Sequence, residues 1–124
     1  MSPPPPRLVV SVDRAVVPVL HLDGILDQRT TPLLRAEAAR VLVDQPQDVV
    51  LECRGLLDVD AAGLRTLLDI RRHLPHPGEL LVVGASDTLR ELLRVTALDQ
   101  SVHVIAPGHA EAAGDTAGAD PTRV

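Results

Sequence analysis

Apolar residues along this chain follow two spacings in turn, the alternation of β-strands and the three-to-four-residue repeat of amphipathic helices. Residues 8–12 and 16–22 have strand character, and Asp13 and Arg14 predict a turn between them. Because this connection is too short for a helical crossover, the two strands should form an antiparallel hairpin. Pro18 has no N–H for a central ladder position, so we expect a sheet edge or a bulge there.

A first helix is predicted after these strands. Thr30 or Thr31 is a natural N-cap, and Pro32 fits the first turn because its missing N–H needs no partner there. Pro46 ends the helix. Its apolar face consists of residues at helical spacing, namely Leu34, Ala38, Val41 and Leu42.

Strand and helix patterns then alternate to residue 105. Apolar runs at 49–53, 80–83 and 102–105 predict strands, the first of them buried on both faces. Asp60 should cap the second helix and Ser86 the third. The predicted inward-facing side chains are Leu64, Leu67 and Leu68 on the second helix, and Leu89, Leu92, Leu93 and Thr96 on the third.

The resulting order, β-β-α-β-α-β-α-β, predicts an α/β fold. We expect a single domain over residues 8–106, with a mainly parallel mixed sheet, right-handed crossovers, an N-terminal hairpin at the edge and helices packed on the sheet. Residues 1–7 are predicted to be a disordered Pro-rich leader, and residues 107–124 a disordered tail.

Composition narrows the classes of function. The chain has no Phe, Trp or Tyr, so its core must be aliphatic and no aromatic platform can stack nucleic-acid bases. Its net charge is -5 and its basic residues form no clusters, which argues against nucleic acid or an anionic membrane as a partner. Without an apolar signal-peptide region or a run long enough to insert in a membrane, we expect a cytoplasmic protein.

Reactive side chains give little indication of chemistry. Cys53 is the single cysteine and lies in an apolar run, where an inert buried thiol is expected. Asp58 and Asp60 are close in sequence, but no His, Ser or Cys accompanies them, and the histidines lack metal-ligand spacing. We therefore expect no catalytic residues, no metal site and no cofactor, and predict that the protein is not an enzyme.

The run from Asp60 to Leu64, Asp-Ala-Ala-Gly-Leu, follows a buried strand and opens an amphipathic helix. It resembles the Asp-Ser-Ser-Gly-Leu signature of the STAS family, in particular the anti-sigma factor antagonists. Gly24-Ile25-Leu26-Asp27 is similar to the family's Gly-x-Leu-Asp before its first helix. A third similarity consists of residues 81–84 and the helix that follows at 89–99, and the resemblance as a whole spans residues 8–106.

This resemblance implies a protein-binding module that regulates transcription by partner switching. The partner would be an anti-sigma factor, in many family members a serine kinase of the histidine-kinase-like ATPase type. That kinase phosphorylates the first serine of the signature, and the chain has Ala61 there and Ala62 at the second serine. Either the chain binds constitutively, or it has left the kinase circuit for another partner. Thr66 is the nearest hydroxyl on the helix and is expected to be exposed.

Two further expectations concern surfaces. Arg65 and Asp69 should pair at i,i+4 on an outward face that also holds Arg72 and His73. Alternatives to the antagonist role are a non-catalytic STAS subunit or scaffold of a transporter, a stressosome-like or a sensory assembly, and a small-ligand binder or enzyme of the same topology. The residues predicted to contact a partner are Gly24, Asp27, Asp58, Asp60, Ala61, Ala62, Gly63 and Arg65.

Overall fold

The computed structural model of the protein describes residues 7–105. Apart from Arg7, the residues predicted to form a Pro-rich leader and a C-terminal tail lie outside this range. Within it, five strands, three α-helices and one short 3₁₀ turn follow the predicted order. The strands are β1 (Leu8–Asp13), β2 (Val19–Leu26), β3 (Val49–Val59), β4 (Leu80–Val83) and β5 (His103–Val104), and the helices are α1 (Thr31–Leu42), α2 (Ala61–Arg72) and α3 (Asp87–Val95).

The five strands of the described range form one sheet in the order β1-β2-β3-β4-β5. β1 pairs with β2 antiparallel, and every other neighbouring pair is parallel. The hairpin therefore lies at one edge and β5 at the other, which confirms the predicted α/β fold. Because α1 follows β2 and α2 follows the adjacent parallel strand β3, both helices begin at the same end of the sheet.

Two strands, β2 and β3, differ from their predicted bounds by more than one residue at an end. β2 begins at Val19, directly after Pro18, and continues to Leu26. Pro18 therefore occupies neither an edge strand nor a bulge; it precedes an interior strand, and its carbonyl accepts a hydrogen bond from Val50 N–H at 3.0 Å. β3 continues to Val59 instead of ending at Cys53, because its second half pairs with the second half of β2.

The predicted N-cap side chains make capping hydrogen bonds in two of the three helices. Asp60 accepts from Gly63 N–H at 2.8 Å, and Ser86 accepts from Leu89 N–H at 3.0 Å. Thr30 occupies the N-cap position of α1 but makes no capping bond. Its hydroxyl donates instead to Ile25 C=O at 2.8 Å, which ties the loop back to the end of β2.

The core consists of aliphatic side chains and Cys53 between the helices and one face of the sheet. Each fully buried Leu or Val contributes about 1.5–3 kcal/mol. Cys53 is buried as predicted, and burial raises the pKa of its thiol to about 12, which disfavours the reactive thiolate. Leu89 and Leu93 of α3 are buried and Leu92 packs partly buried against the core, as predicted. Thr96 lies exposed at the C-cap because the helix ends at Val95, so the prediction for Thr96 was wrong.

Candidate functional site

Asp60 joins the two segments at the end of the sheet where α1 and α2 begin. Its Oδ1 caps α2 by accepting from Gly63 N–H at 2.8 Å, and its Oδ2 accepts from Gln28 N–H at 3.1 Å. The Asp60 N–H itself donates to Leu26 C=O at 3.1 Å. The loop before α1 and the turn before α2 therefore form one hydrogen-bonded surface.

Asp27 organises the loop before α1. Its Oδ1 accepts from Arg29 N–H at 2.9 Å and from Thr30 N–H at 3.2 Å, and its other oxygen forms an ion pair with Arg7. The hydrogen bond from the Arg7 guanidinium lowers the pKa of Asp27 below its ordinary value of 3.8, and the backbone donors add to this effect. The carboxylate is thus ionised and holds the loop in one conformation.

The two predicted contact glycines are packing positions. Gly63 is buried, and a Cβ on it would lie 2.8 Å from Leu26 O and 2.9 Å from Val59 Cγ1. Gly24 lies within β2, not in the loop, with φ +117°, and a Cβ there would lie 2.1 Å from Arg7 O. This predicted contact residue therefore belongs to a strand, which continues for two residues beyond it before the loop begins.

The other predicted contact residues include four that are exposed at this end of the sheet, namely Asp58, Asp60, Ala61 and Arg65, together with the partly buried Asp27 and Ala62. Gln28 and Arg29, in the loop before α1, are exposed beside them. We call these eight residues the turn surface. Ala61 is the first residue of α2, so its methyl group lies beside the capped, amide-rich start of the helix.

Two exposed leucines at this end of the sheet were missed by the sequence analysis. Leu57, near the end of β3, is 80% exposed, and Leu33, in the first turn of α1, is 50% exposed. Leu56 and Leu57 are adjacent in a strand, and Leu56 is the buried one. Because neighbouring strand residues point to opposite faces, the paired leucines were a signal that one of them had to leave the core.

Two predictions for α2 were wrong. Thr66 is fully buried, and its hydroxyl donates to Ala62 C=O at 2.9 Å, so it is not an exposed acceptor for a phosphate. Asp69 pairs with Arg35 of α1 at 2.9 Å and lies 3.7 Å from Arg72. It does not form the predicted pair with Arg65. Packing of α1 against α2 supplies a partner that the helix's own sequence could not indicate.

Little in this surface resembles a catalytic centre. The cleft beside the turn, lined in part by Leu57, Asp58, Ser86 and Thr88, has a volume of about 10 Å³. Pockets for small molecules are larger by more than an order of magnitude, at roughly 300–1,000 Å³. Among residues 7–105, no three His, Cys, Asp or Glu side chains are grouped closely enough to hold a metal ion.

None of the helices in the described range has the length and apolar character needed to span a membrane.

Comparison with solved structures identifies the fold. An anti-sigma factor antagonist from Mycobacterium paratuberculosis superposes with a TM-score of 0.72 at 23% identity, over 78% of this chain and 84% of that one. The anti-sigma factor antagonist SpoIIAA in its unphosphorylated form gives 0.66 at 18% identity, over 89% and 99%. A sulfate transporter family protein from Wolinella succinogenes gives 0.60 at 20% identity, over 76% and 80%.

No curated protein has a sequence that matches this chain significantly. At identities below 25%, the structural similarities show the fold and not the partner. The sequence model of the STAS domain matches residues 9–112, which is most of the chain. This chain therefore belongs to the STAS domain family.

Proposed function

We propose that the chain is an anti-sigma factor antagonist that binds its anti-sigma factor through the turn surface and is not regulated by phosphorylation there. The observation that carries this proposal is the position of Ala61. It is exposed at the first residue of a capped helix, between two hydrogen-bonded segments, and it has no hydroxyl. The partner we expect is a kinase of the histidine-kinase-like ATPase type, and the process is partner switching in bacterial transcription, in the cytoplasm.

Charge explains why phosphate would oppose binding at this position. Asp58 and Asp60 already place two exposed carboxylates next to Ala61. A phosphoserine at 61 would add nearly two more negative charges. An apolar contact on the partner would have to remove water from these charges, and an acidic contact would repel them. With alanine there, the turn surface keeps a single charge state. The chain would then act as a constitutive binder whose output is set by its abundance.

The exposed leucines support a protein partner. Large apolar side chains in the centre of an interface contribute much of its affinity, while the surrounding polar residues set orientation. Leu57 and Leu33 could supply such contacts, with Arg29 and Arg65 among the polar residues at the same end of the sheet.

The test is binding of the anti-sigma factors of the source organism by isothermal titration calorimetry. Ala61→Asp should weaken binding at least about tenfold, because it adds a desolvated charge to the contact. Ala15→Asp is the matched control, since Ala15 is exposed in the hairpin loop at the opposite end of β2. If both variants bound as tightly as the parent, the contact would lie elsewhere.

A second measurement concerns the missing switch. The parent chain should take up no phosphate from the anti-sigma factor kinase with ATP, whereas Ala61→Ser should be labelled and then released from the complex. Labelling of the parent at any serine or threonine, followed by release from the complex, would contradict the proposal.

A second candidate function is a STAS subunit serving a transporter. The similarity to the Wolinella succinogenes protein of the sulfate transporter family favours it. Co-purification with an integral membrane transporter, unaffected by Ala61→Asp, would select this function over the first.

A further inference from the structure

The outer edge of β1 is a long unpaired strand edge within the described residues. β1 spans six residues, pairs in unbroken register with β2 alone, and contains neither lysine nor proline. Natural proteins usually protect such edges with charges, proline, bulges or very short strands. The other edge follows that rule, since β5 is only two residues long. β1 does not.

The ladder pattern identifies the backbone groups that point outward. Ile25 N–H donates to Arg7 C=O at 2.7 Å, so the odd-numbered residues of β1 are those that exchange hydrogen bonds with β2. The N–H and C=O groups of the even-numbered residues, Leu8, Val10 and Val12, therefore point to the free edge. No other described backbone group bonds to them.

We infer that this edge pairs with the same edge of a second copy of the chain, antiparallel about a two-fold axis at Val10. In that register Leu8 of one copy lies opposite Val12 of the other, and the outward N–H and C=O groups exchange hydrogen bonds. The exposed side chain of Val9 lies opposite Ser11. Two five-stranded sheets would become one ten-stranded sheet.

Charge complementarity selects a second copy in this register. Arg7 precedes β1 and Asp13 is its last residue, and antiparallel pairing about Val10 places each Arg7 opposite the Asp13 of the other copy. A parallel arrangement would place Arg7 against Arg7, and a two-residue shift would leave Arg7 without its acidic partner. Arg7 already pairs with Asp27, but its half-exposed guanidinium has donors for a second carboxylate.

The interface is small, since each copy contributes one short strand and two charged ends. We therefore expect a reversible dimer with a dissociation constant of roughly 100 μM, at the weak end of specific association. The edge adjoins the turn surface only at the Arg7–Asp27 ion pair, and Asp13→Arg tests the dimer without altering that pair. The dimer therefore goes beyond the proposed function, and either can fail without the other.

The experiment is sedimentation velocity over a concentration series. The parent chain should shift from monomer to dimer as concentration rises. Asp13→Arg places an arginine opposite Arg7 at both ends of the paired strands. Arg7→Asp places an aspartate opposite Asp13 at both ends. Each variant should dimerise at least about tenfold more weakly than the parent, because like charges directly opposite destabilise a strand pair. Asp99→Arg, exposed in the 3₁₀ turn near β5, is the control and should dimerise normally.

Mixing the two variants provides the decisive result. Equal amounts of Asp13→Arg and Arg7→Asp should form a heterodimer, because both ends then carry an arginine opposite an aspartate. Amide exchange at Val10 should also slow as the parent chain is concentrated.

A parent chain that stays monomeric at millimolar concentration would overturn the inference, as would a dimer whose Val10 amide exchanges at the monomer rate. Loss of dimer in each variant without recovery on mixing would also count against it, provided circular dichroism shows both variants folded.

Discussion

Asp60 and Gln28 lie 32 residues apart in sequence and are joined by a hydrogen bond of 3.1 Å from the Gln28 N–H to Asp60 Oδ2. The same carboxylate caps α2 through its other oxygen. One side chain thus stabilises a helix and fixes the loop in front of a different helix. The turn surface is held in place by its own backbone amides, which would lower the entropy cost of the binding proposed here.

Replacing Asp60 should therefore cost more stability than replacing an ordinary cap. Asp60→Ala removes two accepted hydrogen bonds, and we expect a loss of about 2 kcal/mol in the free energy of unfolding. Ser86→Ala removes one capping bond, to Leu89 N–H, and should cost about 1 kcal/mol. Urea denaturation followed by circular dichroism compares the two. Equal losses would show that the bond to Gln28 adds nothing.

Gly63 should resist replacement by alanine although alanine is the better helix former. The added methyl would lie 2.8 Å from Leu26 O, and a backbone atom can move away only if β2 or α2 shifts. We expect Gly63→Ala to lower the free energy of unfolding by about 1–3 kcal/mol. Ala61→Gly, two residues earlier and exposed, should cost no more than about 1 kcal/mol by loss of helix propensity. A stabilised Gly63→Ala variant would contradict the contact.

Leu57 should affect binding and leave stability unchanged. It is 80% exposed, so Leu57→Ser should alter the free energy of unfolding by less than about 0.5 kcal/mol. If it lies in the contact with the anti-sigma factor, the same change should weaken binding at least about tenfold. Val43→Ser, at the far end of α1 and 76% exposed, is the matched control and should bind normally.

The Arg7–Asp27 pair predicts a specific pH dependence. The pKa of Asp27 is lowered in the folded protein by the Arg7 hydrogen bond, so folding favours the ionised carboxylate. The stabilisation is complete above the unfolded pKa, near 3.8, and is lost as the pH falls through the folded value. Asp27→Asn should remove this part of the acid sensitivity. Urea midpoints between pH 7 and pH 2 measure it, and identical slopes for parent and variant would contradict the prediction.

Local chemistry allowed much of the fold to be predicted. Asp60 and Ser86 are caps whose side chains bond within three residues, so their roles can be seen in the sequence. The strand at Leu80–Val83 was predicted with its observed bounds because a short apolar run has few other structures available.

The misses involve contacts made by distant segments. Gly24 became part of a strand because Leu8 and Leu56 pair with it from either side. Thr66 is buried by the packing around α2, and Asp69 pairs with an arginine of α1. For the candidate site, the sequence indicated the turn and its missing hydroxyl, but neither the bond between Asp60 and Gln28 nor the exposure of Leu57.

The aliphatic core has an optical consequence. With no aromatic side chain anywhere, the protein emits no fluorescence of its own when excited near 280 nm. Any tryptophan or tyrosine signal in a mixture must come from the other molecule. A bound partner's own emission can therefore report contact without a dye, against a dark background.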